Sequence, residues 1–274
     1  MLFTEETIDD MMTSDNDPDK VHMYQNINAA AKAFVLVTVL LLATVGFAES
    51  DTTLFPGTEN PISESGKWTN GGTTGLDWTN VTTTPGKAMG TETGIPNYSD
   101  STATLQYRTW APDQTAFGTV FENAPTLSCG QEIEMRLRTT ITPHSITGYE
   151  ISFSVAFGSL IIVRWDGPLG AGHFDVLDMA AVVVHNGDVI KATVVGNVIT
   201  AYVNGVQKLQ ATDSKFSSGA PGVGFNYTPN SGCTGTARAK YGLSSFTAEE
   251  GGSVSQPPPS QPPSPPSGLT VIVR

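Results

Sequence analysis

Residues 132–138 read Glu-Ile-Glu-Met-Arg-Leu-Arg, apolar at every second position and charged in between. A period of two belongs to a half-buried β-strand and to no helix. Residues 150–157 repeat it, with Ile151, Phe153, Val155 and Phe157 on one face. Residues 160–165 form an apolar run broken only by Arg164, the pattern of a strand covered on both faces. Residues 188–195 and 198–204 flank Gly196-Asn197, and Asn204-Gly205 leads into 206–211. Both dipeptides are tight hairpin signals. Residues 222–227 and 243–248 supply late strands. No window sustains a helical period. Strands joined by short turns, with no crossover helices, predict an all-β fold built as an antiparallel two-sheet β-sandwich.

Composition agrees. Only 15% of residues are charged, whereas 35 are Thr, 28 Gly and 18 Pro. Such a chain suits strands and turns better than a helical bundle. The net charge is −12, which argues against a nucleic-acid partner, since that needs a basic face. The charge is uneven. Residues 1–22 hold seven acids and one base, Lys20, while residues 49–274 carry −7.

Five segments are expected. Residues 1–22 read as an acidic disordered tail. In 23–48, Lys32 precedes sixteen uncharged residues ending Gly46-Phe47-Ala48. That run is short of the roughly 20 apolar residues of a spanning helix, and its small residues fit a signal-peptidase site before Glu49. A start at Met23 would give an ordinary signal layout, with 1–22 owed to start-codon assignment. The alternative is an uncleaved signal anchor, for which only Lys20 and Lys32 supply positive charge. The expected location is therefore secreted or cell-surface, with single-pass anchoring as the alternative and no other membrane contact. Residues 49–250 form the sandwich. Residues 251–268 hold seven prolines and read as a disordered, semi-rigid linker. Residues 269–274 are a β-prone stub, either the start of a further β-domain or a tail strand pairing elsewhere.

Several local patterns carry a resemblance. They are Gly-Asp-Val-Ile-Lys at 187–191, Gly-Asn-Val-Ile-Thr-Ala-Tyr-Val-Asn-Gly-Val at 196–206 and Ser-Gly-Ala-Pro-Gly-Val-Gly-Phe at 218–225. Leu-Ser-Ser-Phe at 243–246 and Arg-Trp-Asp-Gly-Pro-Leu-Gly at 164–170 extend it. Residues 148–246 thereby resemble the concanavalin A-like lectin/glucanase superfamily, in its laminin-G-like secreted modules. The resemblance implies a two-sheet jelly roll with a curved concave face. It implies carbohydrate binding as a superfamily tendency.

Glucanases of that superfamily use paired carboxylates on a Glu-x-Asp-x-x-Glu strand, with acid and nucleophile about 5 Å apart. The nearest match here is Glu132-Ile-Glu134-Met-Arg136, where Arg136 stands in place of an acid. Glu132 and Glu134 are therefore weak catalytic candidates. Surface charges cross-paired with Arg136 and Arg138 explain them equally simply. No hydrolase elbow, zinc-protease motif or phosphate loop occurs. His144, His173 and His185 lack metal-ligand spacing, so no metal site is expected. The acidic run from Asp15 fails the calcium-loop pattern at its Gly and Glu positions. No cofactor is implied, although calcium stays open.

Sugar sites stack aromatic rings on sugar faces and fix hydroxyls with amides and carboxylates. Trp165, Tyr149, Tyr202 and Tyr227 are the aromatic candidates, with Arg164, Asp166 and Asn204 as polar partners. Each could instead serve packing, and Asp166 is expected at a loop tip. Cys129 and Cys233 are the two cysteines, and an oxidising compartment would permit one disulfide between them. Two unpaired thiols are the alternative. The expected function is an exported, non-catalytic carbohydrate-binding or adhesion module with a glycan partner. A divergent glycan hydrolase or lyase, and a structural or protein-binding domain, are the alternatives. Oligomeric state is not assigned.

Overall fold

The computed structural model describes residues 49–92, 100–123, 130–168, 172–228 and 237–251. The acidic tail, the signal or anchor segment, the Pro-rich linker, the stub, and Cys129 and Cys233 lie outside the described residues. Among the described residues, no helix is long and apolar enough to cross a membrane.

Fifteen strands lie among the described residues. They are β1 (Ser50–Thr53), β2 (Thr69–Asn70), β3 (Val81–Thr84), β4 (Lys87–Gly90), β5 (Ser101–Thr104), β6 (Gln114–Glu122), β7 (Gly130–Thr142) and β8 (Ser145–Ser154), then β9 (Ser159–Gly167), β10 (Phe174–Ala181), β11 (Val189–Val195), β12 (Val198–Val203), β13 (Val206–Thr212), β14 (Ala220–Thr228) and β15 (Tyr241–Glu250). One helical turn, α1 (Gly71–Thr74), and a short 3-10 turn (Ala237–Lys240) are the helical pieces. The first sheet runs β13-β12-β11-β6-β15-β4-β3, with β1 also on β15. The second runs β10-β9-β8-β7-β14-β5-β2. All these strand pairings are antiparallel. The chain is thus all-β with two antiparallel sheets, as the alternating patterns predict.

One apolar core lies between the sheets. The second sheet contributes Ile133, Met135 and Leu137 from β7, Ile151 and Phe153 from β8, and Val223 and Phe225 from β14. The first contributes Val120, Ile190, Val194, Ile199, Leu243 and Phe246. The predicted hairpins form as read, with Val195 opposite Val198 around Gly196-Asn197 and Val203 opposite Val206 around Asn204-Gly205. Asn204 takes a φ of 50°, the left-handed turn conformation that Asn tolerates. The run at 160–165 is covered on both sides. Leu160 and Ile162 face the main core, whereas Val163 and Trp165 join a second cluster with Leu76, Trp78, Ile141 and Ile146 on the outer face.

Two expectations need correction. Strand β8 stops at Ser154, so Phe157 leaves the predicted face and is exposed. The alternation of β7 breaks beyond Leu137, where Arg138 and Thr139 together oppose Gly148 as a bulge. Arg138 has a φ of 47° and turns to the sheet end. There its guanidinium donates to the carbonyls of Pro112 at 2.6 Å, Phe216 at 2.9 Å and Gly196 at 2.7 Å. It is a buried clamp between loops, not a surface partner for Glu132 or Glu134.

Gly222 opposes Thr104 across the β14–β5 pairing. A methyl group there would run into the Ala103 carbonyl oxygen and come within 2.8 Å of the Thr104 Cα. Backbone at that distance cannot yield cheaply. Gly222→Ala is expected to cost about 2 kcal/mol or more, read as a lowered urea midpoint; an unchanged midpoint would show that the strands separate easily here.

Candidate functional site

The pleat of the second sheet builds the site. Residues that alternate with the core set project to the sheet's outer face. They are Glu132, Glu134 and Arg136 from β7, Glu150 and Ser152 from β8, Ile161, Val163 and Trp165 from β9, and Gly224 and Asn226 from β14. The charged centre of this face is covered. Glu134 is 0% exposed, Arg136 1%, Asp100 3% and Glu150 5%. Surface placement of the charges on β7 is therefore overturned. Strand parity names the face, but Trp78, Trp165 and Asp100 pack over its charges.

Arg136 is the hub. Its Nη2 donates to Asp100 Oδ2 at 3.1 Å and to Glu134 Oε2, while Nη1 reaches Glu150 Oε2 at 2.9 Å. The guanidinium carbon stands 4.9 Å from the Trp78 ring centroid, a cation–π arrangement. Trp78 meets Trp165 edge to face at 4.8 Å, and the Trp165 Nε1 donates to Glu150 Oε2 at 2.5 Å. Gly224 lies opposite Glu134 in register. A Cβ there would strike Glu134 Oε2 and crowd Arg136 Nε at 3.0 Å, so the missing side chain is the space the ion pair occupies. Gly224 is thus strand floor for buried charge.

The carboxylate oxygens of Asp100, Glu134 and Glu150 lie within 4.8 Å of one another, a spacing that could hold a metal ion. Arg136 already reaches all three, so the guanidinium stands where a metal would.

The cluster carries more acid than base. Burial pushes the Asp100 carboxyl well above its ordinary range, and Glu150 adds to the rise. Burial likewise pushes Glu134 well up, against the pull of Arg136. Glu132 is raised to about 7, first by burial and then by Glu150. Burial opposes the charge of Arg136, but Glu134, Glu150 and Asp100 outweigh it and raise its pKa. Asp100 Oδ1, Glu134 Oε1 and Arg136 Nε have no hydrogen-bond partner among the described residues, although each is buried.

A cleft of about 330 Å³ opens beside this cluster. Asp100, Glu132, Glu150, Ser152 and Asn226 form its polar side, and Ile161, Val163, Trp165, Phe174 and Val176 its apolar side. Phe174 packs on Trp165 at 5.1 Å between centroids. Glu132 accepts from Ser152 Oγ at 3.1 Å.

Of the residues named from sequence, Glu132 and Trp165 line this cleft, and Glu134 lies buried behind it. The pleat sends Arg164 and Asp166 to the opposite side of β9 from Trp165. There Arg164 pairs with Asp166 at 3.3 Å, Asp213 at 2.5 Å and Asp175. Asp166 sits within β9, opposite Thr147, not at a loop tip. Tyr149 shares the core side with Ile151; it is fully buried, with its OH donating to Asp213 Oδ1 at 2.7 Å. Tyr227 is also buried, so neither offers a ring face. Tyr202 lies on the first sheet beneath Lys191 Nζ at 4.6 Å. Asn204 holds its own hairpin, accepting from Val189 N and donating to Asp188. Sequence reasoning missed Asp100, Glu150, Phe174 and Asn226. Glu150 was within reach, because it alternates with Ile151 and shares a face with Ser152.

No protein-family model matches the chain, and no curated protein matches it in sequence. Among solved structures it is similar to a carbohydrate-binding module from Bacillus subtilis, at 14% identity and TM-score 0.44, over 70% of this chain and 96% of that one. It is similar to porphyranase B from Zobellia galactanivorans, at 10% identity and TM-score 0.47, over 76% and 95%. A galectin from Caenorhabditis elegans matches at 11% identity and TM-score 0.36, over 58% and 93%. All three lie below a TM-score of 0.5, so the chemistry of the cleft has to be read from its own residues.

Arg136→Met is expected to cost about 3–5 kcal/mol near neutral pH, because it strands buried carboxylates. Protons can replace the lost cation, so the deficit should shrink toward pH 5. The wild type has its own pH slope. Asp100, Glu132 and Glu134 keep protons in the folded state that the unfolded chain has released. Their contribution is complete below the ordinary carboxylate range and fades as pH rises through the Glu132 value of about 7. Urea titrations from pH 5 to 8 should show stability falling, with a shallower fall in Glu132→Gln. A pH-independent Arg136→Met deficit would refute the charge account.

Proposed function

We propose that the outer-face cleft of the second sheet binds a glycan, as the site of an exported carbohydrate-binding or adhesion module. One observation carries this. A single cleft joins an apolar wall, Trp165 and Phe174, to a row of hydroxyl-accepting groups, Asp100, Glu132 and Glu150. A sugar presents the same two surfaces, an apolar ring face and a polar edge, and the volume lies in the range of small-ligand sites. The superfamily resemblance read from the sequence points the same way. The polar side is also preset in geometry, since Glu150 is held by Arg136 and Trp165.

A second reading, hydrolysis or elimination in the same cleft, is favoured by Glu132 alone. A carboxyl raised to about 7 beside a second carboxylate has the proton affinity of a general acid.

The full-length protein on a glycan array, followed by calorimetry, tests both. Binding is expected to one glycan class, with Phe174→Ala weakening it at least about tenfold. Release of reducing ends or unsaturated sugars, lost in Glu132→Gln, would move the assignment to an enzyme. Capture of no glycan at all would overturn the proposal and leave a structural or protein-binding domain.

A further inference from the structure

We infer that the cleft selects glycans built of amino sugars whose unacetylated nitrogens carry a proton, an inference that rests on the glycan reading above. Two independent observations point to a cationic ligand. The first is charge. Asp100, Glu132 and Glu150 line the cleft, Glu134 lies behind them, and none of the described lining residues is basic. The one guanidinium in the cluster, Arg136, sits 1% exposed at the floor and already pairs with Asp100, Glu134 and Glu150. Four carboxyl groups therefore share one cation, and those raised by burial hold protons that a second cation in the cleft would release. The second is an open valence. Asp100 is 3% exposed and lines the cleft, yet its Oδ1, itself buried, accepts no hydrogen bond among the described residues. A buried carboxylate oxygen without a donor is costly, and a charged donor compensates it best.

A glycan ammonium meets both needs. It supplies three N–H donors and a full positive charge to a site whose one cation among the described residues is occupied. The ring that carries it still presents an apolar face to Trp165 and Phe174. Acetylation removes the charge and adds bulk, so an N-acetylated sugar loses the electrostatic gain. A uronate brings a further carboxylate to Asp100, Glu132 and Glu150 and is repelled. A neutral sugar offers hydroxyl donors but leaves the charge imbalance untouched.

Calorimetry of the full-length protein at pH 6.5 and low salt, against four oligosaccharide series, tests this. The series are oligoglucosamines, oligo-N-acetylglucosamines, neutral gluco-oligosaccharides and oligouronates. Oligoglucosamines are expected to bind at least about tenfold more tightly than the acetylated series, about 1.4 kcal/mol. Added salt should narrow that gap, because the attraction is ionic. Glu132→Gln, at a half-buried position, should narrow it too, and Asp100→Asn should narrow it further. The ranking in the wild type does not depend on either variant folding. Equal or tighter binding of neutral, acetylated or uronate series would overturn the inference and leave the glycan reading intact. Binding of none of the four, with no glycan captured on the array, would remove both.

Discussion

A single guanidinium governs the outer face of the second sheet. Arg136 is 1% exposed and still charged, so its desolvation has to be offset by contacts close at hand. Asp100, Glu134 and Glu150 supply them, and Trp78 covers the guanidinium plane. Each of those partners then depends on something further. Glu134 fits because Gly224 has no side chain. Glu150 is oriented by Trp165 as well as by Arg136. Truncating the arginine would leave a dry pocket of acids. A row of well-packed apolar residues would often serve stability equally well. A sheet that keeps this costlier arrangement is consistent with a use for its chemistry.

Two-sided burial links the fold to that chemistry. Strands β7, β8 and β9 pack one face into the inter-sheet core and the other beneath Trp78 and Trp165. The core side is wholly apolar at Ile133, Met135, Ile151 and Phe153, which fixes the register. A slip of one residue would drive Glu134 and Arg136 into that core. Register therefore holds the charged cluster in place more firmly than the ion pairs themselves do.

Much of this architecture was legible. The alternation at 132–137 and 150–153, the double-faced run at 160–165 and both Gly/Asn hairpins needed only local rules. The site was less legible, for identifiable reasons. Parity tells which face a residue takes but not whether another segment covers that face, so Glu134 and Arg136 looked like surface charges. The bulge at Arg138 shifts the phase by one residue, and nothing local announces it beyond Gly148 across the ladder. Tyr149 and Trp165 could have been sorted by parity alone, since Tyr149 alternates with Ile151 and Trp165 lies out of phase with Arg164 and Asp166. Asp100 gave no signal, because its role arises only when β5 is brought beside β14 and β7.

The position of Arg136 also bears on the choice between binding and catalysis. A carboxylate pair that cuts glycosidic bonds needs one member free to attack and the other free to move a proton. Asp100 and Glu150 are each held by Arg136, and Glu150 also by Trp165. Glu132 is the lining acid least engaged by the guanidinium, and its Ser152 contact is a neutral one. One acid outside the ion-pair network beside two tethered carboxylates supplies recognition readily and nucleophilic attack poorly. On the glycan reading proposed above, the tether that holds the charged cluster together favours holding a sugar over breaking it.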